Sequence, residues 1–108
     1  MSLQGLRDFT KSLLDAVTDL LVEIDGVPFR DLDLFRFTSP VFVLTLPPNN
    51  IFQALPGVYF PAVDEGFYVM LTPLSVGEHG LRIHEENPSI NLVLDVTYHL
   101  TVVPLSLP

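Results

Sequence analysis

The chain has no cysteine, no tryptophan and a single lysine, Lys11. It also has no apolar run near the roughly 18 residues that cross a bilayer. Without cysteine there is no thiol nucleophile, no cysteine-type zinc site and no disulfide; that absence suits the bacterial envelope, the secretome and the cytosol alike. Cations are scarce, with five Lys and Arg against thirteen Asp and Glu, a net charge of −8. A phosphate backbone or an anionic membrane surface needs a basic patch that so few cations cannot build. Nucleic acid and membrane insertion are therefore not expected, and a soluble domain is. The opening residues lack the basic-then-apolar pattern of a signal peptide.

Catalytic motifs are missing too. There is no G-x-S-x-G elbow, no glycine-rich phosphate loop and no H-E-x-x-H, so neither an enzyme nor a cofactor is expected. A Ser75/His79/Asp95 triad can be written down, but nothing in the spacing brings the three together. If the last hairpin folds about residues 87–88, His84 lies opposite Asn91 and His79 opposite Val96. His79 then points inward, held at the edge of the core by hydrogen bonds to the preceding bend, while His84 and His99 point outward at different heights. Zinc needs converging imidazoles, and Asp64, Glu78, Glu85 and Glu86 lack calcium-loop spacing. No metal is expected.

What the chain does contain is hydrophobic: 48% of its 108 residues are apolar and only 17% charged, which excludes a disordered polymer and allows one domain with a core. Ten prolines and eight phenylalanines suit short strands joined by irregular loops. The clearest pattern runs from Asn91 to Val103. Leu92, Leu94, Val96, Tyr98, Leu100 and Val102 alternate with Asn91, Asp95, Thr97, His99 and Thr101, the period of a strand with one buried and one wet face. A strand of that length is expected to carry a bulge or bend.

Upstream, Leu6, Phe9, Leu13, Val17 and Leu20 recur at helical spacing, predicting an amphipathic helix over residues 4–18 that caps the sandwich, with Lys11 and Asp15 paired on its wet side. Leu20 to Ile24 is strand-like, Asp25-Gly26 is a turn signal and Val27-Pro28-Phe29 suits a sheet edge. Arg30 to Phe37 fits either a short strand or an irregular crossover. Val41 to Leu46 is apolar on both faces and predicts a strand covered on both sides, one cover being the helix. Phe67 to Thr72 and Glu78 to His84 are further strands, the latter following a bend where Gly77 supplies a positive φ. Glu85 to Ser89 is an acidic hairpin loop. The fold expected is a mainly β, antiparallel, immunoglobulin-like sandwich of about seven strands, one domain over residues 1–108, with its β part at about 20–104.

The uncharged segment Pro47 to Pro61 is expected to be a long loop, a length that in compact domains often serves function. Phe52, Tyr59 and Phe60 combine flat apolar faces with the amides of Asn49, Asn50 and Gln53, as a carbohydrate or peptide site does. The favoured expectation is that Ile51, Phe52, Leu55 and Phe60 fold back to plug one end of the sandwich. If they are exposed instead, an interface in a homo-oligomer competes with a ligand site. The absence of tryptophan counts modestly against sugar.

The residues Pro73-Leu74-Ser75-x-Gly77-Glu78-His79 and Leu94-Asp95-Val96-Thr97-Tyr98-His99-Leu100-Thr101-Val102-Val103 resemble a family of small bacterial proteins, mostly exported, with a D-G-Y-Y-x-M-L-x-P-L-S-P-G-E-H-T-I block and a D-V-T-Y-x-L-T-V ending. Glu65 to Leu71 and Asp25-Gly26-Val27-Pro28 extend the likeness over residues 23–104. Gly80 replaces the usual threonine, and the hairpin loop is charged where small residues are common. The resemblance implies topology and a secreted or periplasmic location; it carries no site residues. The last two strands also look like those of bacterial immunoglobulin-like domains. Together with the missing motifs, this predicts a non-catalytic interaction or adhesion module with a protein or carbohydrate partner.

Overall fold

A computed structural model describes residues 2–105. The chain is mainly β, with antiparallel sheets and one N-terminal helix, as the sequence periodicities predict. Helix α1 (Leu3–Asp15) leads into β1 (Thr18–Ile24) and β2 (Val27–Pro28). After them come β3 (Arg36–Thr38), β4 (Phe42–Leu46), β5 (Gly57–Ala62), β6 (Glu65–Phe67), β7 (Gly77–Asn87) and β8 (Leu92–Val102). A four-stranded sheet in the order β2-β1-β7-β8 forms one layer, and β3–β6 and β4–β5 are separate two-stranded ribbons. The arrangement is consistent with a β-sandwich, with the β3–β6 side facing the four-stranded sheet and the β4–β5 ribbon packed on α1. Between the layers Val22, Leu81 and Ile83 face Phe29, Leu32, Phe67, Val69 and Leu71 around a cavity of about 180 Å³.

Local chemistry explains the turns. Asp25 and Gly26 both have positive φ (51° and 80°) and join β1 to β2, the geometry of a two-residue hairpin that twists with its strands. Pro28 sits at the sheet edge, where its missing N–H costs nothing. Gly77 opens β7 at φ 130°, the freedom the bend requires. Asn87 starts the β7–β8 turn by accepting hydrogen bonds from Ser89 N at 3.1 Å and Ser89 Oγ at 2.6 Å.

Helix α1 is shorter than its periodicity predicts. Ser2 Oγ caps its start by accepting from Gly5 N at 3.0 Å. At the other end Ala16 N and Val17 N donate to the carbonyls of Leu13 and Leu14, and Thr18 is already strand. Lys11 pairs with Asp15 at 2.6 Å, as expected. The helix packs on β5 and β6, with Leu6, Leu13 and Leu14 half-buried; Phe9, expected on the same stripe, is 54% exposed.

Between β2 and β3 the chain takes the irregular crossover that residues 30–37 allowed: Asp31 takes φ 55° and Leu32–Phe35 forms a 3-10 turn. Other segments differ from expectation. The crossover leaves only Arg36–Thr38 to pair with β6, so the strand expected over Phe67 to Thr72 stops at Phe67 for want of a partner. The last third of the expected 47–61 loop is strand, because Gly57, Val58, Tyr59 and Ala62 find partners in Leu46, Thr45, Leu44 and Phe42. β4 is not covered on both sides; Val43 is 57% exposed. The β7–β8 hairpin turns at Pro88–Ile90 rather than at 87–88, which places His84 opposite Asp95 and His79 opposite Leu100. This four-residue change keeps every side chain on its expected face. β8 pairs without a bulge; register shifts lie instead in β1, between Thr18 and Leu21, and in β4, between Phe42 and Leu44.

Candidate functional site

The six residues named from sequence share one hairpin. Asn49, Asn50, Phe52 and Gln53 lie on the connection between β4 and β5, and Tyr59 and Phe60 lie on β5 itself. Asn50 closes the connection: its Nδ2 donates to Pro47 O at 3.1 Å and Ala54 O at 2.8 Å, while its Oδ1 accepts from Phe52 N and Ala54 N, both at 3.1 Å. Asn49 and Gln53 take left-handed φ of 57° and 53°. Tyr59 donates its hydroxyl to Leu55 O at 2.6 Å. The polar groups of Asn50 and Tyr59 thus shape the loop.

The aromatic and aliphatic groups do not plug the sandwich. Ile51, Phe52, Leu55 and Phe60 are 91%, 64%, 81% and 67% exposed. A loop closed on its own asparagine has no slack to fold back, and the hairpin leans on α1 through β5. A second apolar surface was not foreseen. Phe35, Phe37, Tyr68, Val69, Met70 and Leu71 line an open cleft of about 780 Å³, with Met70 almost wholly exposed. Sequence alternation assigned residues 67–72 to a strand and gave no sign that the strand would lack a partner.

Two of the three imidazoles, those of His79 and His84, occupy ion-paired sites. His79 is inward, as expected, and is clasped between Asp25 Oδ2, 2.7 Å from its Nδ1, and the Ser75 carbonyl, 2.7 Å from its Nε2. Gly80 N also donates to Asp25 Oδ1 at 2.8 Å. The hydrogen bond to Asp25, then that to the Ser75 carbonyl, raises the His79 pKa; in return His79, then the Gly80 N–H, lowers that of Asp25. Asp25, not Asp95, is the acid here. Ser75 Oγ stands 3.4 Å from Nε2, farther than the carbonyl. A ring that donates to a carbonyl from Nε2 and to a carboxylate from Nδ1 has no lone pair for a serine proton.

Asp95 belongs to a network on the outer face of the four-stranded sheet. Arg82 reaches it bidentately at 3.1 and 2.8 Å, and His84 Nδ1 lies 3.1 Å away while its Nε2 meets Glu86 at 3.1 Å. Arg82, ahead of His84, holds the Asp95 carboxyl down at about 2; Glu86, then Asp95, raises the His84 pKa. His99 is elsewhere: with Glu78 and Thr101 it borders an open depression of about 320 Å³ over Gly80. On the helix side, Arg36 binds the buried Glu65 carboxylate through Nε at 2.8 Å and through Nη2, and Asp15 at 2.8 Å. Among the described residues no three His, Asp or Glu are placed to hold a metal ion, and no helix is long and apolar enough to cross a membrane.

No protein-family model matches the chain, and neither does any curated protein or solved structure with which it was compared.

Proposed function

We propose that the chain is a non-catalytic interaction or adhesion module, working in the bacterial envelope or outside the cell, whose partner covers the apolar tip of the β4–β5 hairpin. The observation that carries this reading is the exposure of Ile51, Phe52, Leu55 and Phe60 together on one self-closed hairpin. Isolated apolar residues are ordinary on a surface; a group held out by a rigid loop is the form of a binding patch. The ion pairs of His79 and His84 support a structural role for those two histidines, and the resemblance of residues 23–104 to exported bacterial proteins supports the location.

The test combines an environment-sensitive apolar dye with solution mass. Dilute wild type is expected to bind the dye, and Ile51→Ser with Phe60→Ser to lower binding several-fold without changing the far-UV spectrum. A wild type that binds no dye and is also monomeric has its hairpin folded away, which rules this function out.

Sugar binding at the same hairpin is the alternative, favoured by the exposed faces of Phe52 and Phe60 beside Asn49 and Gln53. Asn50 and Tyr59 bring little to it, their polar groups being engaged within the loop. A glycan array in which Phe60→Ala abolishes a hit would establish it, and an array with no hit removes it.

A further inference from the structure

β8 is the outer strand of the four-stranded sheet, and its free edge runs eleven residues without a proline or lysine. The opposite edge is β2, two residues ending in Pro28, a form that resists further pairing. Which groups of β8 face outward follows from its neighbour. The Gly80 carbonyl accepts from Asp25 N at 2.8 Å, and the Glu86 carbonyl accepts from Thr18 Oγ1 at 3.4 Å. Even-numbered residues of β7 therefore direct their main-chain groups towards β1. His79, Leu81, Ile83 and Glu85 direct theirs towards β8, where their partners are Leu100, Tyr98, Val96 and Leu94. The N–H and C=O groups of Val93, Asp95, Thr97, His99 and Thr101 are left pointing at the free edge, and among the described residues no strand receives them.

The molecule also carries surplus surface. Its accessible area is 8342 Å², whereas a compact monomer of 12.0 kDa exposes about 6000 Å². The surplus, roughly 2300 Å² on that scaling, is what one chain of an obligate dimer hides, since such interfaces bury about 2000–5000 Å² over both partners. The radius of gyration says the same, at 17.3 Å against about 13 Å for a compact chain of this length.

We propose that the chain forms a homodimer by antiparallel pairing of β8 with β8 of a second copy, across a two-fold axis at Thr97, making one continuous eight-stranded sheet. This pairing uses a surface apart from the hairpin tip and goes beyond the reading proposed above. The strand is complementary to itself in this register. Leu92 lies opposite the partner's Val102, Leu94 opposite the partner's Leu100 and Val96 opposite the partner's Tyr98, so apolar meets apolar on one face. On the other face Asp95 lies opposite the partner's His99, twice per dimer. Moving the axis to Asp95 would set carboxylate against carboxylate, and an axis between two adjacent residues would set apolar against polar. Centring on Thr97 also pairs all eleven residues.

Sedimentation equilibrium with variants at the exposed Thr97 tests the pairing. Wild type is expected at twice the 12.0 kDa chain mass. Thr97→Lys places two ammonium groups against each other at the axis and is expected to raise the dimer dissociation constant by about 100-fold or more, whereas Thr97→Val leaves it dimeric. Amide exchange on wild type needs no variant: Asp95, Thr97 and His99 are expected to be protected as well as Val96 and Tyr98. Rapid exchange at the three odd positions overturns the pairing, as does a dimer indifferent to Thr97→Lys. A wild type that is monomeric at every soluble concentration but still binds the dye at its hairpin overturns the dimer and leaves the module with another partner. A monomer that binds no dye overturns both.

Discussion

At His79 two unlike acceptors, the Asp25 carboxylate and the Ser75 carbonyl, grip one ring and favour its charged form. The consequence for stability has a definite sign. The raised His79 pKa adds stability that is complete below its ordinary value near 6.5 and is lost as pH rises through the higher folded value. The lowered Asp25 pKa adds stability that is complete above its ordinary value near 3.8 and is lost as pH falls through the lower folded value. Melting temperature is therefore expected to be highest between about pH 4 and 6.5. His84, raised by Glu86 and Asp95, steepens the alkaline fall. His79→Gln should flatten that fall and His79→Gln with His84→Gln should flatten it further; a double variant as steep as wild type would contradict the clasp. The inward placement of His79 and its bond to the bend were legible from the parity of β7. Asp25 was not, because it lies 54 residues away in sequence and reaches the ring only once β1 pairs with β7.

Among the elements, α1 shows how one strand end secures a helix end. Asn87 is among the most buried side chains of the described residues, at 3% exposed. It donates from Nδ2 to Leu13 O at 2.8 Å, while Arg36 Nη2 donates to Lys11 O at 3.1 Å. These side chains add hydrogen bonds from outside the helix to carbonyls near its C-terminal end. Asn87→Ala removes one such bond and the Ser89 contacts together, and is expected to lower unfolding free energy by about 2 kcal/mol in urea titration. A loss under about 0.5 kcal/mol would mean that water replaces the amide fully. Periodicity located the helix and its Lys11–Asp15 pair. It overran the C-terminus because a cap from a residue 74 positions away leaves no local mark.

For the whole molecule, charge and surface pull in opposite directions. A net charge of −8 per chain makes two copies repel, while the free edge of β8 and the surplus accessible area favour their union. Ions shorten the range of that repulsion to about 10 Å at 0.1 M salt. Dimer fraction is therefore expected to rise with added sodium chloride in sedimentation. A fall would assign the contact chiefly to the Asp95–His99 pairs instead. Strand order, and with it the identity of the open edge, is a property of the assembled sheet and has no signature in the order of residues along the chain.

By itself the sequence determined the class of fold, because strand alternation, the Asp25-Gly26 turn and the helical stripe are set by local sterics and by which face meets water. It determined the faces of β7 and β8 too: a hairpin register wrong by four residues still has the right parity. Tertiary structure decided which strands found partners. The pairing of Gly57–Ala62 with β4, the shortness of β6, the Asp25 clasp on His79 and the exposure of the 47–60 hairpin all depend on contacts between distant segments. Such contacts are chosen by competition for hydrogen-bonding edges and apolar cover across the whole chain, and no stretch of sequence read alone contains its competitors.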